Sequence, residues 1–206
     1  SSIERRQFFI NQIANLFYGI SLGSILLLAA LGLAITFGLM GVINMAHGEM
    51  LMIGAYSTFL IQNFFKSYLP NLFDWYIVAA IPAAFIVSGA VGIIMERSVI
   101  RHLYGRPLET LLATWGISLI LIQTIRLIFG AQNVEVANPS YLSGGIQAFN
   151  GVVLPYNRIA IIMFVILVVI SVWALLQKTS LGLQVRAVTQ NRKMASCMGI
   201  STNKID

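Results

Sequence analysis

Five apolar stretches, at about residues 13–43, 49–65, 75–95, 110–129 and 158–177, alternate with short polar or basic segments along this chain of 206 residues. A helix needs about 20 residues at 1.5 Å rise to cross the hydrocarbon of a bilayer. The pattern predicts an all-α fold: a polytopic transmembrane helical bundle with spans near 13–37, 44–65, 75–95, 110–129 and 158–177, within a single membrane domain over 1–206. Trp75 and Tyr76 open the third span and Trp173 sits near the end of the last, where amphipathic rings favour the membrane–water interface. Pro82 falls inside the third span, where neighbouring helices can satisfy the carbonyl it frees.

The early apolar region is interrupted. From Gly41 to Tyr56 the chain reads GVINMAHGEMLMIGAY, which sets Asn44, His47 and Glu49 among glycines. A charged group at membrane depth costs roughly 2.5–3.5 kcal/mol on insertion scales, so it persists where it faces a cavity, a partner or a transported species. A discontinuous helix near residues 38–54 is expected, because unwound backbone at that depth must line protein or water. Residues 13–65 fit either two full spans with a broken element or three short spans. Three crossings before Arg97 would place Ser1 outside, against the pull of Arg5 and Arg6. Two readings stand for Asn44, His47 and Glu49: a solute pathway reached through the break, or polar links between helices. On a regular helix Asn44 and His47 share a face and Glu49 does not. Thr114 is a further pathway candidate, although a hydroxyl more often bonds back to its own helix.

Composition and charge narrow the class. The chain is 58% hydrophobic and only 10% charged, well under half of the roughly 25% charged residues of a soluble domain. Lipid is therefore its main solvent. The net charge of +6 gathers in two segments, with Arg97, Arg101 and Arg106 in one and Lys178, Arg186, Arg192, Lys193 and Lys204 in the other. By the positive-inside rule both are cytoplasmic, and segment 130–157, with Glu135 and no Lys or Arg, is external. Its run NVEVANPSYLSGG carries Pro139, Gly144 and Gly145 as turn punctuation. No aromatic residues interleave with the bases as a nucleic-acid surface requires. Cys197 is the lone cysteine, which excludes an intrachain disulfide, and with His47 and His102 as the only histidines a zinc site is not expected. Gly19 and Gly23 form a GxxxG on the first span, the mark of close helix packing. Pro107 and Glu109 mark a helix N-terminus.

Four separated motifs covering about residues 13–204 carry a resemblance: GLAITFGLMGVINMAHGEMLMIGAY, RPLETLLATWGISLIL, AQNVEVANPSYLSGG and GLQVRAVTQNRKMASCMGI. The chain resembles the permease subunit of branched-chain amino acid ABC importers, and within that family the urea-type branch. The resemblance implies a multi-pass subunit of the bacterial inner membrane, in contact with membrane lipid. It would pair with a second homologous permease subunit, two cytoplasmic ATPase subunits and a periplasmic solute-binding protein, and would move urea or branched-chain amino acids by alternating access. The family pattern RAxxxNxxxAxxxGI matches Arg186, Ala187, Asn191, Ala195, Gly199 and Ile200 in a cytoplasmic coupling loop, 178–206, and implies that these residues touch the ATPase. The chain has no GxxxxGK[ST] motif. It is expected to be a transporter subunit rather than an enzyme, with no cofactor of its own and ATP bound by its partners. Family members are longer, so a C-terminally truncated copy is expected. For urea, Asn44, Glu49 and Thr36 would replace hydration; an amino acid needs groups for both of its charges, and the sequence leaves the two open. The rivals are a passive channel or facilitator for a small polar solute, which needs no partner-binding loop, and a purely structural membrane subunit.

Overall fold

The computed structural model describes residues 1–134, 145–149 and 152–206. Helix α1 runs Ser2–Met40, α2 His47–Tyr68, α3 Tyr76–Ser98 and α4 Pro107–Phe129. An antiparallel hairpin of β1 (Gly145–Phe149) and β2 (Val152–Pro155) precedes α5 (Tyr156–Lys178), and three short helices follow, α6 (Ser180–Gln190), α7 (Arg192–Cys197) and α8 (Thr202–Ile205). The chain is all-α apart from the hairpin, in which Ile146 pairs with Leu154 and Gln147 with Val153. Glu135, Pro139 and Gly144 of the expected external connector lie outside the described residues, and Gly145 begins a strand rather than a turn.

Helices α1, α3, α4 and α5 are long and apolar enough to cross a membrane. Helix α2 is not among them, because His47, Glu49, Ser57, Gln62 and Lys66 dilute its apolar residues. Burial runs opposite to that of a water-soluble protein: Ile3, Phe85, Leu108 and Leu127 are at least three-quarters exposed, whereas Ser21, Thr110 and Thr114 are fully buried. Apolar side chains facing outward and hydroxyls turned inward suit lipid as the solvent. The aromatic pair expected at the interface divides, for Trp75 is exposed while Tyr76 is completely buried.

Two compact units are present, one of residues 1–32 and 140–186, the other of residues 33–139 and 187–206. In the first, the Arg158 guanidinium donates to Ser21 Oγ at 3.1 Å and lies 5.1 Å from the Tyr18 ring, which ties α5 to α1. No atom lies within 4 Å of where a β-carbon would stand on Gly19 or Gly23, so the GxxxG face of α1 has no close neighbour among the described residues. At the turn from α5 into α6 the backbone passes so close that a β-carbon on Gly182 would meet the Leu176 carbonyl oxygen. In the second unit α2 and α3 lie along each other. Small residues set the spacing, with Ser88 Oγ donating to the Met50 carbonyl at 3.3 Å and Gly92 leaving room for the Met50 side chain. Helix α4 begins as its residues dictate, with Pro107 in its first turn and Glu109 accepting from Arg106 at 3.2 Å.

Candidate functional site

The site begins where α1 stops. Gly41 takes a φ of 67° and its N–H reaches the Phe37 carbonyl at 2.9 Å, a left-handed ending that glycine adopts without steric penalty. Burial then alternates: Val42, Asn44 and Ala46 are buried while Ile43 and Met45 are exposed, along irregular backbone that closes into a turn at Met45 and Ala46. Val42 and Ala46 pack against Met95 and Ile100. The discontinuity expected near 38–54 is thus confined to 41–46, and α2 continues through Gly48 and Gly54 as one helix.

Backbone that leaves the helical ladder must find its hydrogen-bond partners elsewhere. The Met45 N–H donates to Thr114 Oγ1 at 3.2 Å, and the Ala46 N–H donates to Asn44 Oδ1 at 2.9 Å, an Asx-type turn. Thr114 also bonds back to its own helix, donating to the Thr110 and Leu111 carbonyls, both at 2.9 Å. Among the described residues Asn44 Nδ2 meets the Met50 sulfur at 3.9 Å, a weak acceptor, which leaves donor capacity for a bound molecule.

That amide faces a cavity of about 450 Å³ lined by Thr36, Asn44, Met50, Gly89, Gly92, Ile93 and Ile100, with Glu96, Arg97, Asn203, Lys204 and Asp206 around its polar side. The volume lies in the ~300–1,000 Å³ range of small-molecule sites. Of the five expected pathway residues the cavity gathers two, Thr36 and Asn44. Thr114 is buried as a backbone anchor. His47 and Glu49 are not cavity-lining residues, and Asn44 and His47 share no helical face because Asn44 precedes α2. Glu49 Oε2 is buried with no hydrogen-bond partner among the described residues.

The polar side of the cavity was missed in the sequence. Glu96 carried one usable signal, since a carboxylate in the last turn of a helix opposes the helix dipole and calls for a local partner. Arg101 supplies it at 3.3 Å. Asn203, Lys204 and Asp206 arrive from far along the chain and left no local signature. Burial, reinforced by the Asp206 and Glu96 carboxylates, pushes the Tyr104 phenol well above its ordinary value; the hydrogen bond to Asp206 raises the Arg192 guanidinium. No group of three or more His, Cys, Asp or Glu residues that could hold a metal ion occurs among the described residues.

The expected coupling residues have clear local roles. Arg186 donates to the Gly182 carbonyl at 3.4 Å and to Gln177 Oε1 at 3.5 Å, and Ala187 is half-buried in α6. Asn191 is the N-cap of α7, its Oδ1 accepting from the Met194 N–H at 3.0 Å. Ala195 is buried beneath that helix. Gly199, at a φ of 88°, donates to the Ser196 carbonyl at 3.2 Å and Ile200 donates to the Ala195 carbonyl at 3.1 Å, a Schellman ending. The spacing of Asn191, Ala195, Gly199 and Ile200 thus describes a capped, two-turn unit. Its outward face presents Lys193, Met194, Cys197 and Met198, all exposed.

Residues 15–206 match the family described as branched-chain amino acid transport system, permease component. The high-affinity branched-chain amino acid transport system permease protein BraD of Pseudomonas aeruginosa is 32% identical over 202 residues, covering 96% of this chain and 64% of BraD. The corresponding permease protein LivH of Escherichia coli is 28% identical over 205 residues, 96% of this chain and 65% of LivH. A probable branched-chain amino acid transport permease protein LivH of Methanocaldococcus jannaschii is 27% identical over 191 residues, 88% of this chain and 56% of that protein. The chain thus spans just under two thirds of the length of the bacterial relatives. No solved structure shows a significant match.

Proposed function

The chain belongs to the permease-component family of branched-chain amino acid transport systems, and from that premise we propose that it is a membrane-spanning subunit of an ATP-driven importer that carries a branched-chain amino acid rather than urea. The observation that carries the choice of solute is the cavity. A zwitterion needs a cation for its carboxylate and acceptor oxygens for its ammonium group. Arg97 and Lys204, both exposed, meet the first need. Thr36 and the Asn44 amide oxygen meet the second, and Met50, Ile93 and Ile100 give an apolar wall for a branched side chain. Urea, being uncharged, would make no use of either cation. The permease names borne by the relatives support the same solute class.

In this reading the basic segments around Arg97 to Arg106 and after Lys178 face the cytoplasm of a bacterial inner membrane. A second permease subunit, two ATPase subunits and a periplasmic binding protein complete the assembly. The exposed face of α7 meets an ATPase, and nucleotide-driven movement of that face opens and closes the cavity in alternation. The test is binding-protein-dependent uptake of labelled leucine by the complete transporter. Uptake should be blocked by excess isoleucine, unaffected by excess urea, and lost when the ATPase nucleotide-binding lysine is replaced. Uptake that persists without a working ATPase would identify a facilitator, and urea-competed uptake would reverse the choice of solute.

A further inference from the structure

The cavity and the α7–α8 segment are joined by a chain of polar contacts anchored on two buried carboxylates, Glu96 and Asp206. It starts at Glu96, in the last turn of α3 and one turn beyond the cavity residues Gly92 and Ile93. Glu96 is 8% exposed as a residue, and its carboxylate accepts from Arg101 Nε at 3.4 Å, from Arg101 Nη2 at 3.3 Å, and from the Tyr104 hydroxyl at 3.4 Å. From there two branches run to the C-terminal segment. Arg101 also donates to the Asn203 carbonyl at 3.3 Å. Arg192, the first residue of α7, lies over the Tyr104 ring at 4.5 Å and pairs with the fully buried Asp206 carboxylate through both of its terminal nitrogens.

Each of these contacts would be weak on a wet surface, but Glu96 and Asp206 are buried, and a buried carboxylate left without its partner is strongly penalised. Arg97 and Lys204, beside this cluster, are exposed. Glu96 and Asp206 differ: both line the cavity and both are committed to fixed partners. A displacement of α7 that left α3 in place would pull Arg192 off the Tyr104 ring, and one that carried Asn203 with it would break the bond from Arg101.

We propose that Glu96 is a positioning residue that passes movement of the 187–206 segment to the cavity wall formed by α3, with Arg101 and Tyr104 as its links to α8 and α7. This inference rests on the proposed function, since the movement originates in a partner ATPase. The test uses the complete transporter in proteoliposomes and compares solute moved per ATP hydrolysed. Glu96→Gln should retain the ATPase subunits on purification and continue to hydrolyse ATP, while solute moved per ATP falls tenfold or more. The exchanged pair, Glu96→Arg with Arg101→Glu, should recover part of that loss. Tyr104→Phe, which keeps the ring under Arg192 and removes only the hydroxyl, should lower the ratio severalfold and serves as the deciding variant where Glu96→Gln does not fold. A wild-type ratio in the folded variants would overturn the latch alone. Transport by the unsubstituted complex that needs no ATP would overturn the proposed function as well.

Discussion

Thr114→Val isolates the bond that holds the unwound segment in place. Valine keeps the shape of threonine and removes one acceptor. The Thr114 proton goes to helix carbonyls of Thr110 and Leu111, which the α4 ladder serves without it, so the variant's consequence is the loss of the acceptor for the Met45 N–H. A net loss of one hydrogen bond costs about 0.5–1.5 kcal/mol, and a donor left unsatisfied costs about 1–3 kcal/mol. The figure for an unsatisfied donor is used here, because the Met45–Thr114 bond is part-buried. At 1.4 kcal/mol per factor of ten, opening of residues 41–46 should increase roughly five- to a hundredfold. Hydrogen–deuterium exchange of the full chain in lipid nanodiscs reads that directly. Exchange at Met45 and its neighbours should rise in Thr114→Val and stay near wild type in Thr114→Ser, which keeps the hydroxyl. A folded valine variant with unchanged exchange over 41–46, or a serine variant as fast as valine, would refute the role given to Thr114.

Other substitutions probe the remaining joints. Gly182→Ala would place a methyl against the Leu176 and Leu175 carbonyl oxygens; the turn from α5 into α6 must open, lowering the melting temperature by an amount equivalent to about 1–3 kcal/mol, and an unchanged melting curve would mean that the close approach is not maintained. Asn191→Ala removes the α7 cap at a cost of about 1 kcal/mol, and Gly199→Ala forces a side chain into a φ of 88° at about 1–2 kcal/mol. Both should speed amide exchange over 192–200, and wild-type exchange in both would deny the capping role. Glu49→Gln relieves a buried carboxylate oxygen that has no partner among the described residues, so thermal stability should rise; a fall would show that the charge is used.

Much of the architecture was legible locally. Runs of apolar residues announced the long helices, and the glycine beside an Asn, His and Glu announced the break, because both are properties of short windows. The coupling motif was legible as a pattern, and its geometry gives the reason: Asn191 caps, Ala195 packs and Gly199 reverses the chain. Less accessible was which polar residues share the cavity. Asn44, Glu96 and Asp206 come together only through the packing of Val42 and Ala46 on the end of α3 and the return of the C-terminal segment, contacts that no local window contains. Tyr76 shows the same limit, since its position beside Trp75 suggested an interface while tertiary packing buries it entirely.

The central claim is that nucleotide bound elsewhere changes the cavity in this chain. Ile93 lines that cavity and is itself exposed, so Ile93→Cys in a Cys197→Ser background reports on it without disturbing the polar chain. The labelling rate of the complete transporter with a membrane-impermeant maleimide should differ at least severalfold between the nucleotide-free and vanadate-trapped states. Equal rates in the two states, with ATP hydrolysis intact, would contradict the account.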